Sequence, residues 1–149
     1  MSDPITEAQL RQDLQDAMKR RDMPAVYVLR GLLAVIANRR IELGAPTLAA
    51  PEIVALIQRE AKKREEAEGF ARQANRADLV EQNTAERRLL GAYLPASLSD
   101  DEITALVRGW IADGTTAMGA LMSRLKEQHA GRYDGKRASD IVRGLLAGG

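Results

Sequence analysis

Apolar residues return every three or four positions along nearly the whole chain, and no convincing run of strict alternation appears. That period puts apolar side chains on one face of an α-helix; a half-buried strand would need a period of two. Aromatic residues make up only 3% of the 149 positions, while hydrophobic residues reach 45%. The core must therefore be Leu, Ile, Val, Ala and Met, the composition of packed helices, and the expected fold class is all-α.

The local signals divide the chain into segments. Thr6 to Gln9 has capping-box spacing and opens a first helix carrying Leu10, Leu14, Ala17 and Met18 on one face. Pro24 suits the first turn of a second helix, where a missing N–H costs nothing. That helix is apolar on two sides, with Val26, Leu29, Leu33, Ile36 and Ala37 in one stripe and Val28, Leu32 and Val35 in another. Two apolar faces predict a helix central to its domain, ended by Gly44 as a left-handed residue. Pro51 marks a third start, followed by Ile53, Val54, Leu56 and Ile57 and then a mostly charged stretch from Arg59 to Arg72. Glu60/Arg64 and Glu68/Arg72 stand at i, i+4 in the favourable order, worth a few tenths of a kcal/mol each. Asn75 tolerates the left-handed conformation and is expected to turn the chain into a fourth helix. Asp78 lies in its first turn, and it carries Leu79, Val80, Leu89, Leu90, Tyr93 and Leu94. The third and fourth helices are expected to form a long antiparallel hairpin.

Pro95 gives the strongest boundary signal and divides an N-terminal helical domain, 1–95, from a small three-helix domain, 96–149. In the second, Ser99 and Glu102 form a capping box with Leu98 and Ile103 at the staple positions. Ile103, Leu106, Val107, Trp110 and Ile111 share one face, and Gly114 closes the helix. Thr115 or Thr116 is expected to cap the next, which presents Met118, Leu121, Met122 and Leu125. Gly131 stops it, Asp134-Gly135 reads as a turn, and Ala138, Ile141, Val142, Leu145 and Leu146 face inward from the last helix.

No catalytic constellation emerges. With no Cys, disulfides and thiolate chemistry are excluded. His129, the single His, sits at a helix end, where capping accounts for it better than catalysis. Asp100, Asp101 and Glu102 are explained by the cap and helix dipole without a metal. The Lys62-Lys63-Arg64 run, followed by Glu65, Glu66 and Glu68, reads as a solvated helix face. Trp110 reads as core and not as a stacking platform, and Met118 and Met122 as packing and not as a soft groove. No cofactor or metal is expected. The start has no signal-peptide character, and the longest apolar run, Gly31 to Ala37, is far short of the roughly 20 residues that span a bilayer. The expectation is a cytoplasmic protein with no membrane partner.

The net charge of +1 hides a basic end: from Arg124 onward six Lys and Arg residues face three acids. The best functional candidates are there, in Arg132, Tyr133, Lys136, Arg137 and Arg143, with an ordinary basic surface as the alternative reading of the same residues. Glycines bracket the loop part, Tyr133 suits stacking on a base, and the cations suit phosphate.

The order of certain pieces resembles one family. They are Val28-Leu29-Arg30, Asn38 to Gly44, Lys62 to Glu65, Arg76-Ala77-Asp78-Leu79, Tyr93 to Ser99, Met118 to Met122, and Gly131-Arg132-Tyr133-Asp134-Gly135-Lys136. In that order they resemble the YqeY-like proteins, related to the tail of the B subunit (GatB) of tRNA-dependent amidotransferases. The sequence departs from that tail at Ala120, where a Lys is frequent. The resemblance implies a non-catalytic accessory protein with weak tRNA contact. Its implied partner is an aminoacyl-tRNA amidotransferase or another tRNA-handling enzyme. A protein–protein adaptor without RNA binding is the rival. A carbon–nitrogen ligase using glutamine as amido donor is implied by the resemblance alone, since the chemistry of the longer relatives lies in a large body of which nothing is seen here.

Overall fold

The computed structural model describes residues 4–148, which form seven α-helices and no strand. The helices fall into two compact units that part between Leu94 and Pro95.

The first unit contains α1 (Glu7–Arg20), α2 (Met23–Leu43), α3 (Ala50–Gln73) and α4 (Ala77–Gly91). Thr6 caps α1 by accepting from the Gln9 N–H at 3.1 Å. The reciprocal half of the expected box is not made: the Gln9 amide turns forward and donates to Asp13 at 2.8 Å, one helical turn on. Arg21 then adopts a left-handed conformation (φ 56°) and Asp22 caps α2, with Pro24 in its first turn. Both stripes of α2 are engaged. Val26, Val28, Leu29, Leu32 and Ile36 are buried against Leu10 and Ala17 of α1, Ile53, Leu56 and Ile57 of α3 and Leu90 of α4. Gly44 ends α2 at φ 63°.

The α3–α4 hairpin turns at Asn75, which takes φ 55°. Its charged stretch is not uniformly solvated. Lys62, Lys63, Glu65 and Glu66 are exposed, whereas Glu60 and Glu68 are each only 8% exposed. Buried carboxylates need partners. Glu60 takes Arg64 at 2.6 Å. Glu68 takes Arg72 on its own helix at 2.6 Å and Arg87 from α4 at 3.2 Å. A charged bridge thus ties the hairpin where apolar contact is thin. Tyr93 and Leu94, expected inside the fourth helix, lie just beyond its end, which α4 reaches at Gly91. Both still pack on the core. The Tyr93 hydroxyl donates to Asp13 of α1 at 2.5 Å.

The second unit contains α5 (Asp100–Ala112), α6 (Met118–His129) and α7 (Gly135–Ala147). The Ser99/Glu102 capping box is complete, with bonds of 3.1 and 3.2 Å, and Leu98 packs on the cluster that holds Ile103. Ile103, Val107, Trp110, Leu121, Leu125, Ala138 and Val142 form the core. Gly114, at φ 102°, closes α5. Neither threonine caps α6: the cap position is Ala117, without a side-chain bond. Thr115 instead accepts from Arg124, whose guanidinium lies 4.8 Å from the centre of the Trp110 ring. Asp134-Gly135 is the entry to α7 and not a separate turn. Asp134 caps the helix by accepting from the Arg137 N–H at 3.0 Å. The Asp side chain that would favour a turn also makes a good cap, and here the helix wins.

Candidate nucleic-acid interface

The five candidates lie around the loop between α6 and α7 and along α7. Gly131 takes φ 76° and lets the chain leave α6. The next residue, Arg132, faces inward along its own unit. Its Nε donates to the Ala96 carbonyl at 2.8 Å, its own carbonyl accepts from the Leu98 N–H at 2.6 Å, and Nη1 lies 3.5 Å from Nδ1 of His129. This residue fastens the segment leading into α5 to the α6–α7 loop.

Tyr133 is half-buried and packs on the core of the second unit. Burial raises its phenol above the usual value. The exposed stacking surface expected of it is therefore only partly available.

Arg137 points back across the unit. Its Nε and Nη2 bind the two carboxylate oxygens of Asp100 in a bidentate pair that joins the first turns of α5 and α7. The guanidinium hydrogen bonds hold the Asp100 carboxyl below the ordinary range, and Asp100 in turn raises Arg137. Glu102 is also lowered, chiefly by the Ser99 backbone N–H. Two of the expected phosphate ligands are thus committed within the protein.

Lys136 and Arg143 remain. Lys136 is exposed in the first turn of α7 and, among the described residues, meets no carboxylate. Arg143 is 67% exposed and touches Asp140 at 3.4 Å, a surface pair worth little in water. Lys126 and Arg108 are exposed as well and make no ion pair among the described residues. The cationic surface of this unit is therefore sparser than its sequence suggests. Among the described residues no three His, Asp or Glu side chains converge as a metal site would require, and no helix is long and apolar enough to cross a membrane.

Sequence reasoning missed the Asp13–Tyr93 and Glu68–Arg87 bonds, whose partners stand 80 and 19 positions apart. No local spacing signals either one.

These features define a small helical protein made of a four-helix unit with a long hairpin and a three-helix unit with a capped entry. The model of the YqeY-like protein family matches residues 7–146, and the chain belongs to that family. Two curated relatives bear the name "Altered inheritance of mitochondria protein 41, mitochondrial". The one from Pyrenophora tritici-repentis is 28% identical over 144 residues, covering 89% of this chain and 78% of the relative. The one from Eremothecium gossypii is 32% identical over 119 residues, covering 76% of this chain and 63% of the relative.

Proposed function

We propose that the protein is a non-catalytic accessory factor that contacts tRNA weakly through its second unit. Support comes from membership of the YqeY-like family, taken with the resemblance of the second unit's sequence to amidotransferase tails. The observation that carries it is Lys136, a cation with no carboxylate partner among the described residues, at the N-terminus of α7, where the free N–H groups and helix dipole favour an anion. Arg132 and Arg137 act behind it as fasteners. In this reading they shape the loop and leave phosphate contact to Lys136 and Arg143. The partner is an aminoacyl-tRNA amidotransferase or another tRNA-handling enzyme. The test is binding of total tRNA at two salt concentrations, since phosphate contact must weaken as counterions are released. Salt-independent binding, or none at low salt, argues against it.

One observation favours a second reading, a protein–protein adaptor. The first unit exposes large apolar side chains, among them Phe70 at 70%, Ile41 at 78% and Tyr27 at 63%. The names of the two relatives refer to mitochondrial inheritance and mention neither tRNA nor a protein partner. Ligase chemistry is implied by the family resemblance alone. Glutamine-dependent ammonia release that a point change in this chain abolishes would support it.

A further inference from the structure

A cleft of ≈ 190 Å³ opens in the first unit between α1, α2 and the segment after α4. Its floor is apolar, made by Ala25, Val28 and Leu29 of α2 and Leu89 of α4. Its rim is charged. Asp13, Asp16 and Arg20 of α1 line it together with Tyr93.

The rim residues are unequal. Both oxygens of Asp13 are taken, one by Gln9 and one by the Tyr93 hydroxyl. Asp16 accepts from Gln12 on Oδ1 at 3.1 Å, and its second oxygen has no partner among the described residues. Among the described residues the one ion pair of Arg20 is with Asp22, through Nη2 at 3.8 Å, and its charge acts on the Tyr93 hydroxyl.

Asp16 and Arg20 stand at i, i+4 with the acid first, the order that favours an ion pair. The sequence holds three more acid–arginine pairs at this spacing: Glu7–Arg11, Glu60–Arg64 and Glu68–Arg72. All three close, at 3.3, 2.6 and 2.6 Å. Asp16–Arg20 is the one that stays open. Its acid is one methylene shorter, and its arginine turns toward the α2 cap. The two opposite charges are thus separated along one helical turn, both at the mouth of a cleft with an apolar floor.

We propose that this cleft binds a free α-amino acid. The ammonium meets the open oxygen of Asp16, and the carboxylate meets the unused N–H groups of Arg20. An uncharged side chain lies over Val28, Leu29 and Leu89. The Asp13–Tyr93 bond fixes the far wall. An α-amino acid carries both charged groups on one carbon, so it spans the open pair in a way that neither a simple amine nor a simple acid does. A cleft of ≈ 190 Å³ suits a ligand of amino-acid size.

The experiment is an amide NMR titration of the full chain with the standard amino acids. Isoamylamine and 4-methylpentanoate serve as analogues of leucine that keep one charge each. At least one uncharged-side-chain amino acid is expected to give saturable shifts at Ala25, Val28, Leu29 and Tyr93. The single-charge analogues are expected to bind at least about tenfold more weakly, since each loses one charge-assisted contact. Asp16→Asn and Arg20→Gln each leave the core untouched and are expected to weaken binding while the helical spectrum stays unchanged. No saturable shift with any amino acid overturns the proposal. So does equal binding of the single-charge analogues, or binding indifferent to both substitutions.

Discussion

Arg137 on α7 binds both oxygens of Asp100, the first residue of α5. The contact turns a residue that local sequence offers as a phosphate ligand into a clamp between two helix starts. Both side chains are largely exposed, at 65% and 48%, so water competes for the pair and its contribution is small. Arg137→Ala is expected to lower the melting temperature slightly, and the difference should shrink as salt is added. Thermal melts at low and high ionic strength check this. A large, salt-independent loss would mean that Arg137 packs more than it pairs.

Tyr93 closes the first unit by donating to Asp13. Tyr93→Phe removes one bond to a charged acceptor and leaves that oxygen half-buried without a partner. The expected loss is about 1 kcal/mol in denaturant unfolding, nearer the neutral figure than the charged one because the site is half-open to water. A double-mutant cycle with Asp13→Asn isolates the coupling. Burial, then the Asp13 bond, raise the Tyr93 phenol above its ordinary value. A group raised on folding stabilises the fold below its unfolded value and ceases to do so as pH climbs through its folded value. This contribution is therefore constant near neutrality and fades only above about pH 10. A stability difference between parent and Tyr93→Phe that changes between neutral and mildly alkaline pH would contradict it.

Glu68 has the opposite sign. Its hydrogen bond from Arg72, followed by that from Arg87, holds the carboxyl below the ordinary range. Stability from a lowered acid is present above its unfolded value and is lost as pH falls through its folded value. Glu68→Gln is expected to destabilise the hairpin at neutral pH and to converge on the parent below about pH 4. Melting curves across that range give the result directly. Hydrogen exchange should locate the added opening in α3 and α4, and an effect spread evenly over the second unit would rule the hairpin bridge out.

What the sequence made legible is what neighbours decide. Ser99 and Glu102 are three residues apart, so the box that starts α5 is written locally. Gly44, Gly114 and Asn75 need only their own backbone freedom to mark their turns. The two apolar stripes of α2 foretold its central place. The candidate site was less legible because its partners are remote. Arg132 bonds to a carbonyl 36 positions away and Arg137 to a carboxylate 37 positions away. Composition counts both as free cations, and only the packing of α5 against α7 shows how they are used. Glu60 and Glu68 mislead for a related reason. A charged run has no signature for which of its faces a facing helix will cover.

The second unit carries its own core, cap and clamp. Its entry segment is fastened internally, with Arg132 holding Ala96 and Leu98. A fragment of residues 96–149 is expected to melt cooperatively as a helical domain, at the small end of what folds alone. Circular dichroism is sufficient to check it. A fragment that is largely coil, or that loses helix gradually on heating, would show that the unit depends on the rest of the chain.

The RNA reading becomes sharper once the fasteners are set apart. Replacing Arg132, Lys136 and Arg137 together would confuse loss of a contact with loss of the loop. Lys136→Glu and Arg143→Glu avoid this, because Lys136 meets no carboxylate among the described residues and Arg143 only grazes Asp140. With Lys136 and Arg143 as the phosphate contacts, the log–log salt slope of tRNA binding should be about −2, shallower than the basic end of the sequence alone suggests. The doubly reversed variant should lose binding and keep its melting temperature. Arg132→Ala should do the reverse, lowering the melting temperature with a smaller effect on the salt slope. Filter binding across a salt series, paired with thermal melts of the same samples, separates these outcomes. If the doubly reversed variant binds tRNA as the parent does, the contact lies elsewhere. If the parent does not bind at low salt, the exposed apolar residues of the first unit become the better guide to a partner.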